Sequence, residues 1–347
     1  MKAYLLSIMK GQNTSFIGQL IMYLLVPFSM VYEWGVVCHR NLCRLKGIYK
    51  APKPVISIGN ITVGGTGKTP LVIWLAKNLQ NKGFKSIVLI RGYKPQISKI
   101  SDEVDMLNEQ IPYIPVLAGG DRSANIREAE STLPADVYIC DDAFQHWPLH
   151  RDLNIVTIDA VNPFGNGYLL PAGVLREPLS ALRRADVFIL TKTSASKNIT
   201  ALTSRLQKLN PKALIMESIY KSGATIDAFD GTIMPPDFLN QKRVVGFCAI
   251  GDPLSFELTL KNSSVQAVKF FTYMDHHAYN AGDIRHMTAY CRSQQIEVLV
   301  TTHKDTVKLR SFKSLFTGLR LVYVPVQLEI TKGADEFFEK ISSICLR

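Results

Sequence analysis

Apolar positions along the chain fall into short runs of strand length, alternating with stretches in which they recur at helical spacing. Val55, Ile56 and Ile58 form a run of the buried-strand type, and Leu71, Val72, Leu75 and Leu79 recur on one helix face. Between them lie Gly59, Gly64, Gly65 and Gly67, so Pro54 to Gln80 predicts strand, glycine-rich loop and helix. Further strands are predicted over Ser86 to Tyr93, Ile114 to Leu117, Val137 to Ile139, Leu153 to Ala160 and Ala185 to Thr191. A polar segment with Ser101, Asp102 and Glu103 lies between the first two of these runs, and Gly119-Gly120-Asp121-Arg122 precedes a helical stretch. Such alternation predicts an α/β fold, a mostly parallel sheet with helices on both faces that binds ligands at the strand carboxyl ends, and Gly67-Lys68-Thr69 after the glycine loop makes it one of the P-loop NTPase type.

Asp230-Gly231 and Pro235-Pro236 mark turns in a hairpin region, and Arg243 to Pro253 restarts the strand, glycine turn and helix rhythm without a Gly-Lys-Thr. A second, smaller α/β lobe that binds something other than a triphosphate is expected there. Apolar runs at Ile296–Val300 and Leu319–Leu328 and a closing amphipathic helix complete it. The division expected from sequence is an anchor over 1–45, a P-loop core over 46–225 and a C-terminal lobe over 226–347.

The N-terminal pattern is different in kind. No charge occurs between Lys10 and Glu33, and Phe16 to Tyr32 is mostly apolar; as a helix those residues reach about 26 Å, just short of a hydrocarbon core. Pro27 is expected to kink it. Tyr32 and Trp34, followed by Arg40, Arg44 and Lys46, match an aromatic belt and a basic collar at lipid headgroups. No small-x-small cleavage site follows, so an uncleaved membrane-anchoring helix is expected, spanning or half-embedded, with the rest of the chain cytoplasmic.

Charge sharpens that picture. The 347 residues carry a formal +11, and residues 1–54 hold seven Lys and Arg against the single Glu33. A basic chain can meet nucleic acid, but here the charge sits beside an apolar anchor, without a stacked-aromatic RNA motif or a recognition helix. With 47% hydrophobic and 20% charged residues, wholesale disorder is excluded. The six cysteines form no C-x-x-C pair and read as reduced thiols.

Candidate chemistry concentrates at the strand ends. Gly67-Lys68-Thr69 opens a helix after a glycine loop, the order needed for backbone N–H groups to cradle phosphate, a lysine to reach terminal phosphates and a hydroxyl to bind Mg²⁺. The strict pattern has glycine where Thr62 stands. The bland alternative is a glycine-rich turn that happens to precede Lys-Thr. Asp141 and Asp142 end an apolar strand, as a Walker B acid does beside Mg²⁺; adjacent carboxylates raise each other's pKa unless a cation shares them. The alternative is a solvated strand-end turn. Gln145 and His146 follow closely enough to line the same pocket. Arg176 and Glu177 are expected to begin a helix with Pro178 in its first turn, and by themselves read as a surface ion pair. Thr191-Lys192-Thr193-Ser194 lacks the aspartate of a guanine-reading motif. For Asp275-His276-His277 three readings stand: metal site, catalytic histidine, or polar loop.

Taken together, IGNITVGGTGKTP, RGY, Asp102-Glu103, GGDR, DDAFQH, LLPAGVLREP, FCAIGDPLSF, DHH and TTHKDTVKL resemble the tetraacyldisaccharide 4′-kinases, the lipid A 4′-kinases, nearly end to end. That family's loop also lacks the first Walker glycine. The resemblance implies transfer of the ATP γ-phosphate to the 4′-hydroxyl of an acylated disaccharide 1-phosphate lipid, with Mg²⁺, at the cytoplasmic face of the inner membrane. It implies that Thr62, Val63, Gly64, Gly65, Thr66 and Gly67 cradle nucleotide together with Lys68 and Thr69. Thr69, Asp141, Asp142 and Glu177 would serve the metal, and Arg176 would stabilise phosphate. Asp102 is similar to the family's catalytic carboxylate and His276 to its dyad partner, although Ser101 and Val104 stand where the family has glycine and proline. The implied partners are the lipid substrate and a membrane surface, with no nucleic acid and no obligatory protein partner. Two rivals are a membrane-associated partitioning ATPase, whose signature lysine is replaced here by Val63, and a basic nucleic-acid-binding P-loop protein.

Overall fold

A computed structural model describes residues 2–91, 99–263, 265–275 and 277–345. It divides into two compact units, one of residues 1–92, 113–219 and 329–347, the other of residues 93–112 and 220–328. Compared with the linear division at residue 225, residues 93–112 belong to the second unit and the C-terminal segment returns to the first.

The first unit opens with α1 (Lys2–Met9) and α2 (Phe16–Leu45). Ser15 caps α2 by accepting from the Gly18 amide, and the helix continues as one element through Pro27 to Leu45, taking in the basic collar. At 30 residues it spans about 45 Å. It is the one helix among the described residues long and apolar enough to cross a membrane by length and composition.

Then follow β1 (Val55–Gly59), α3 (Lys68–Asn81), β2 (Ser86–Arg91), α4 (Lys99–Gln110, in the second unit), β3 (Val116–Gly119), α5 (Arg122–Thr132), β4 (Val137–Asp141), β5 (Leu153–Asp159), β6 (Val187–Thr191), α6 (Ile199–Leu209) and β7 (Leu214–Ser222). Residues 101–103, expected in a polar segment, lie within α4.

The strands order as β7-β6-β5-β1-β4-β2-β3, every registered neighbour parallel. β1, β4 and β6 are buried nearly throughout, which is why they read as unbroken apolar runs and not as alternation. Register puts Val55, Tyr138, Cys140 and Leu89 on one face, where Ile126 and Ala129 of α5 pack; Leu202 and Leu206 of α6 cover Val156 and Phe188 on the same face. The other face receives α3, whose Leu71, Val72, Leu75 and Leu79 are buried. β1 lies between β5 and β4, where the sequence order of the strands reverses, and such a switch point opens a crevice at the carboxyl ends.

The second unit contains β8 (Ile226–Asp227), β9 (Val244–Cys248), α7 (Pro253–Asn262), β10 (Ala267–Thr272), α8 (Ala281–Ser293), β11 (Val298–Thr301), α9 (His303–Leu309) and β12 (Arg320–Tyr323). Its sheet order is β10-β9-β11-β12-β8, with only β8 antiparallel. The mostly apolar run LRLVYVPVQL splits at Val324-Pro325: β12 stays in this sheet, while β13 (Val326–Lys332) joins the edge of the larger one beside β7. Proline has no N–H to give to a ladder, so the break falls there. α10 (Ala334–Cys345) follows and stacks Phe337 and Phe338 on Trp74 of α3, with ring centroids 5.9 and 5.5 Å away. All six cysteines are free.

Candidate active site

The site grows from the end of β1. A Cβ at Gly59 would fall 2.5 Å from the Phe144 side chain, so only glycine lets the strand pass. In the loop beyond, Asn60 Nδ2 donates to the Thr62 carbonyl (2.8 Å), and the Thr191 hydroxyl at the end of β6 donates to the Thr66 carbonyl (3.2 Å). The buried Thr66 hydroxyl lies 2.8 Å from that of Thr157 on β5. Gly64 and Gly67 have φ of +119° and +85°, and Gly67 is the N-cap of α3, so Lys68 and Thr69 occupy its first turn. Thr62 has no left-handed φ to accommodate; it bridges Leu175, and Val63 N donates to Val174 O at 2.8 Å. With no positive φ to adopt, the position accepts a threonine in place of glycine.

β4 runs beside β1 with Asp141 level with Ile58, which brings Asp142 to the mouth of the loop. Asp142 takes a left-handed φ of +49°. Its carboxylate accepts two 3.0 Å bonds from Arg176 NH1 and lies 3.4 Å from Lys68 Nζ. Burial by itself would raise its pKa, but the charges of Lys68 and Arg176 outweigh burial and hold the carboxyl below the usual carboxylate range. The cations that resolve the carboxylate pair are thus the protein's own. Asp141 behaves differently: its Oδ1 accepts from the Asp142 amide at 2.8 Å.

Arg122, almost wholly buried at the start of α5, donates through NH2 to the Asp141 carbonyl and, at 3.4 Å, to that of Asp142. It therefore clamps the backbone that presents Asp142. Its NH1 lies 3.4 Å from His146 Nδ1. Burial, followed by the charges of Arg122 and Arg151, pushes the His146 pKa down to about 4, so this imidazole is neutral at pH 7.

Glu177 is 2% exposed, and Arg184 NH2 donates to both of its carboxylate oxygens at 2.9 Å. The helix after Pro178 is a short 3₁₀ turn over Leu179–Arg184, so Arg176 and Glu177 precede it and do not begin it. What reads in sequence as a surface ion pair is two separate interactions: Arg176 with Asp142, and Glu177 with Arg184. The Arg184 guanidinium packs over the rings of Phe144 and Trp147 at 4.5 and 4.6 Å. Gln145 Nε2 donates to Glu177 (3.0 Å) and to the Asn60 carbonyl (2.8 Å), and Lys68 Nζ donates to Asn60 Oδ1 (3.3 Å). Asp142, Lys68, Asn60, Gln145, Glu177 and Arg184 form one continuous network.

Among the described residues no group of three or more His, Cys, Asp and Glu side chains gathers as a metal cage. Mg²⁺ does not need one: it keeps several waters and takes one or two carboxylates plus phosphate oxygens, a donor set to which Thr69 and Asp142 are suited.

In the second unit, Asp275 lies 3.4 Å from Lys304 Nζ. His277 Nε2 meets Asp283 Oδ2 at 2.9 Å and stacks on Tyr273 at 4.8 Å, within the capping box that starts α8. His277 is thereby a structural histidine. His276 and the Asp102 side chain lie outside the described residues. Asn60, Arg122 and Arg184 carried no functional signal of their own in the spacing; Asn60 and Arg122 fell inside quoted motifs, IGNITVGGTGKTP and GGDR, and Arg184 inside none.

Residues 21–345 match the family model described as tetraacyldisaccharide-1-P 4′-kinase. The chain is similar to the tetraacyldisaccharide 4′-kinase of Syntrophus aciditrophicus, 37% identical over 88% of this chain and 89% of that protein. Its likeness to that of Halothermothrix orenii is 32% over 89% and 88%. Among solved structures it is similar to LpxK from Aquifex aeolicus in complex with ATP, with a TM-score of 0.70 and 28% identity over 93% of this chain and 99% of that one. On this evidence the chain belongs to the tetraacyldisaccharide-1-phosphate 4′-kinase family.

Proposed function

We propose that this chain transfers the γ-phosphate of ATP to the 4′-hydroxyl of an acylated disaccharide 1-phosphate, a lipid A precursor. The observation that carries the reading is the meeting of Lys68, Asp142 and Arg176 at the mouth of a glycine loop that opens α3. Phosphoryl transfer calls for positioning and charge stabilisation more than covalent chemistry, and two cations facing a loop of backbone N–H groups supply both.

ATP phosphates lie in the cradle of Thr62 to Gly67, with Lys68 on the terminal phosphates and Arg176 on the transferred group. An arriving polyphosphate competes with Asp142 for both cations, which frees that carboxylate. Thr69 and Asp142 would hold Mg²⁺, which would supply charge neutralisation to the phosphates. Asp141 shapes the turn that presents Asp142, and Glu177, bound by Arg184, completes the acidic side of the site. Asp102, aided by His276, takes the proton of the 4′-hydroxyl; this pair rests on the resemblance of their motifs.

The chain works at a membrane surface, on the inner membrane's cytoplasmic face. α2 leaves Leu20, Leu24, Phe28, Val31 and Trp34 exposed along one stripe, Trp34 at 75%, while Gly18 and Ser29 are buried on the opposite side. A helix with one stripe engaged by its own domain and another apolar and open suits an interfacial seat better than a span. Seven basic residues in positions 2–53 favour anionic headgroups. An acylated acceptor leaves a bilayer at about 0.8 kcal/mol per CH₂, so the enzyme meets it there.

The test is phosphate transfer from labelled ATP to tetraacyldisaccharide 1-phosphate in mixed micelles with Mg²⁺, comparing the wild type with Lys68→Ala. Transfer that vanishes in the variant supports the reading. A folded, ATP-binding wild type without transfer sinks the acceptor assignment.

A further inference from the structure

The segment that carries Arg176 and Glu177 is held between the N-terminal helices and the phosphate loop. On α2, the buried Ser29 hydroxyl donates to Leu169 O at 2.9 Å and accepts from Ala172 N at 3.1 Å. One turn further along, Tyr32 OH donates to the Arg176 carbonyl at 3.3 Å. From α1 and its end, Met9 O accepts from Asn166 N (3.1 Å) and Lys10 O from Asn162 Nδ2 (2.9 Å). Asn166 Nδ2 in turn donates to Ala172 O at 2.8 Å. Gly165 lies so close that a Cβ there would fall 2.7 Å from Met9 O.

On its other side, Arg176 N donates to Ile61 O at 2.7 Å, and Val174 O accepts from Val63 N at 2.8 Å. The Arg176 peptide is thus bonded to α2 through its carbonyl and to the phosphate loop through its amide, while its guanidinium grips Asp142. Without Ser29 and Tyr32, the outer side of residues 169–176 would lose three of these bonds, and the side-chain angle at which Arg176 faces Asp142 would be less defined.

We infer that Ser29 and Tyr32 are positioning residues of the phosphoryl transfer: through the backbone of residues 169–176 they fix Arg176 against Asp142, so that α2 serves the reaction as well as the membrane. The inference rests on the phosphoryl-transfer reading of Arg176. Neither residue belongs to the exposed apolar stripe, so the two duties of α2 separate by mutation.

The experiment compares full-length wild type, Ser29→Ala, Tyr32→Phe and the double variant, each also combined with Arg176→Ala. One or two lost hydrogen bonds predict a fall in kcat of roughly three- to tenfold, with KM for ATP and sedimentation with anionic vesicles unchanged. On the Arg176→Ala background the same changes are expected to cost nothing further. Hydrogen–deuterium exchange of residues 169–176 is expected to quicken by a similar factor while that of β1 and α3 stays as in the wild type. Unchanged exchange in this segment overturns the inference, as do kcat losses that multiply with Arg176→Ala. If the wild type transfers no phosphate, the functional reading fails, and the exchange data alone decide whether α2 orders the segment.

Discussion

His146 offers a quantitative test of the buried electrostatics around the Asp142 turn. Its pKa is about 4 in the folded chain against an ordinary 6.5, because burial and then the cations Arg122 and Arg151 oppose a second positive charge. A folded-state value below the unfolded one means that the folded chain favours the neutral imidazole. The contribution is therefore complete above pH 6.5 and is lost as pH falls toward 4, where the unfolded chain has already taken up its proton. Proton linkage with those two values predicts a loss of about 2 kcal/mol between pH 7.5 and pH 5, and a limiting loss of about 3 kcal/mol. The assay is urea unfolding at pH 7.5 and 5 for the wild type and for His146→Gln, whose amide can still accept from Arg122. Most of the pH dependence of the difference between the two proteins is assigned to this one group, so the wild type is expected to lose about 2 kcal/mol more than the variant over that interval. Parallel losses would refute the reasoning, as would an imidazole proton resonance of His146 that titrates near 6.5.

Asp142 titrates in the opposite sense: its folded pKa is depressed, so its contribution is present above 3.8 and is lost only as pH falls through the lower folded value. Asp142→Asn is accordingly expected to flatten the acid-unfolding profile below pH 3.8 and to leave the interval from 4 to 6.5 unchanged, a distinction that stability measurements across pH resolve. Arg184→Ala strips the partner from a carboxylate that is 2% exposed, and urea unfolding should show a loss of about 3–5 kcal/mol, much of it restored by Glu177→Gln in the same chain. A loss under about 1 kcal/mol would mean that water takes the place of Arg184 beside Glu177. Phe28→Ser and Trp34→Ser on the open stripe of α2 are each expected to weaken vesicle sedimentation about tenfold without moving the unfolding midpoint; unaltered partitioning would place the membrane contact elsewhere.

Much of this protein is local in origin and therefore legible in its sequence. A glycine loop between an apolar strand and an amphipathic helix, an acidic strand end, and an uncharged apolar helix with a basic collar each draw their structure from neighbours a few residues away. Their backbone geometry follows from side-chain periodicity and from glycine's tolerance of positive φ. Lys68, Thr69 and Asp142 are legible as residue types at strand ends and a helix start, but Lys68 meets Asp142 only because β1 and β4 lie side by side. The tertiary structure alone decided which charge meets which. Arg176 and Glu177, adjacent in sequence, face different partners across the bend that carries them, and Arg184 reaches Glu177 only once the 3₁₀ turn has folded back over Phe144 and Trp147. Arg122 meets the Asp142 turn because α5 and β4 pack on the same sheet, and Ser29 and Tyr32 meet residues 169–176 across some 140 positions of chain. The placement of α4 in the second unit, and the parting of β12 from β13 into different sheets, are likewise set by elements distant in sequence. Hydrophobic pattern specifies that a segment will be buried; which surface buries it is set by the register and shape of elements far away in sequence.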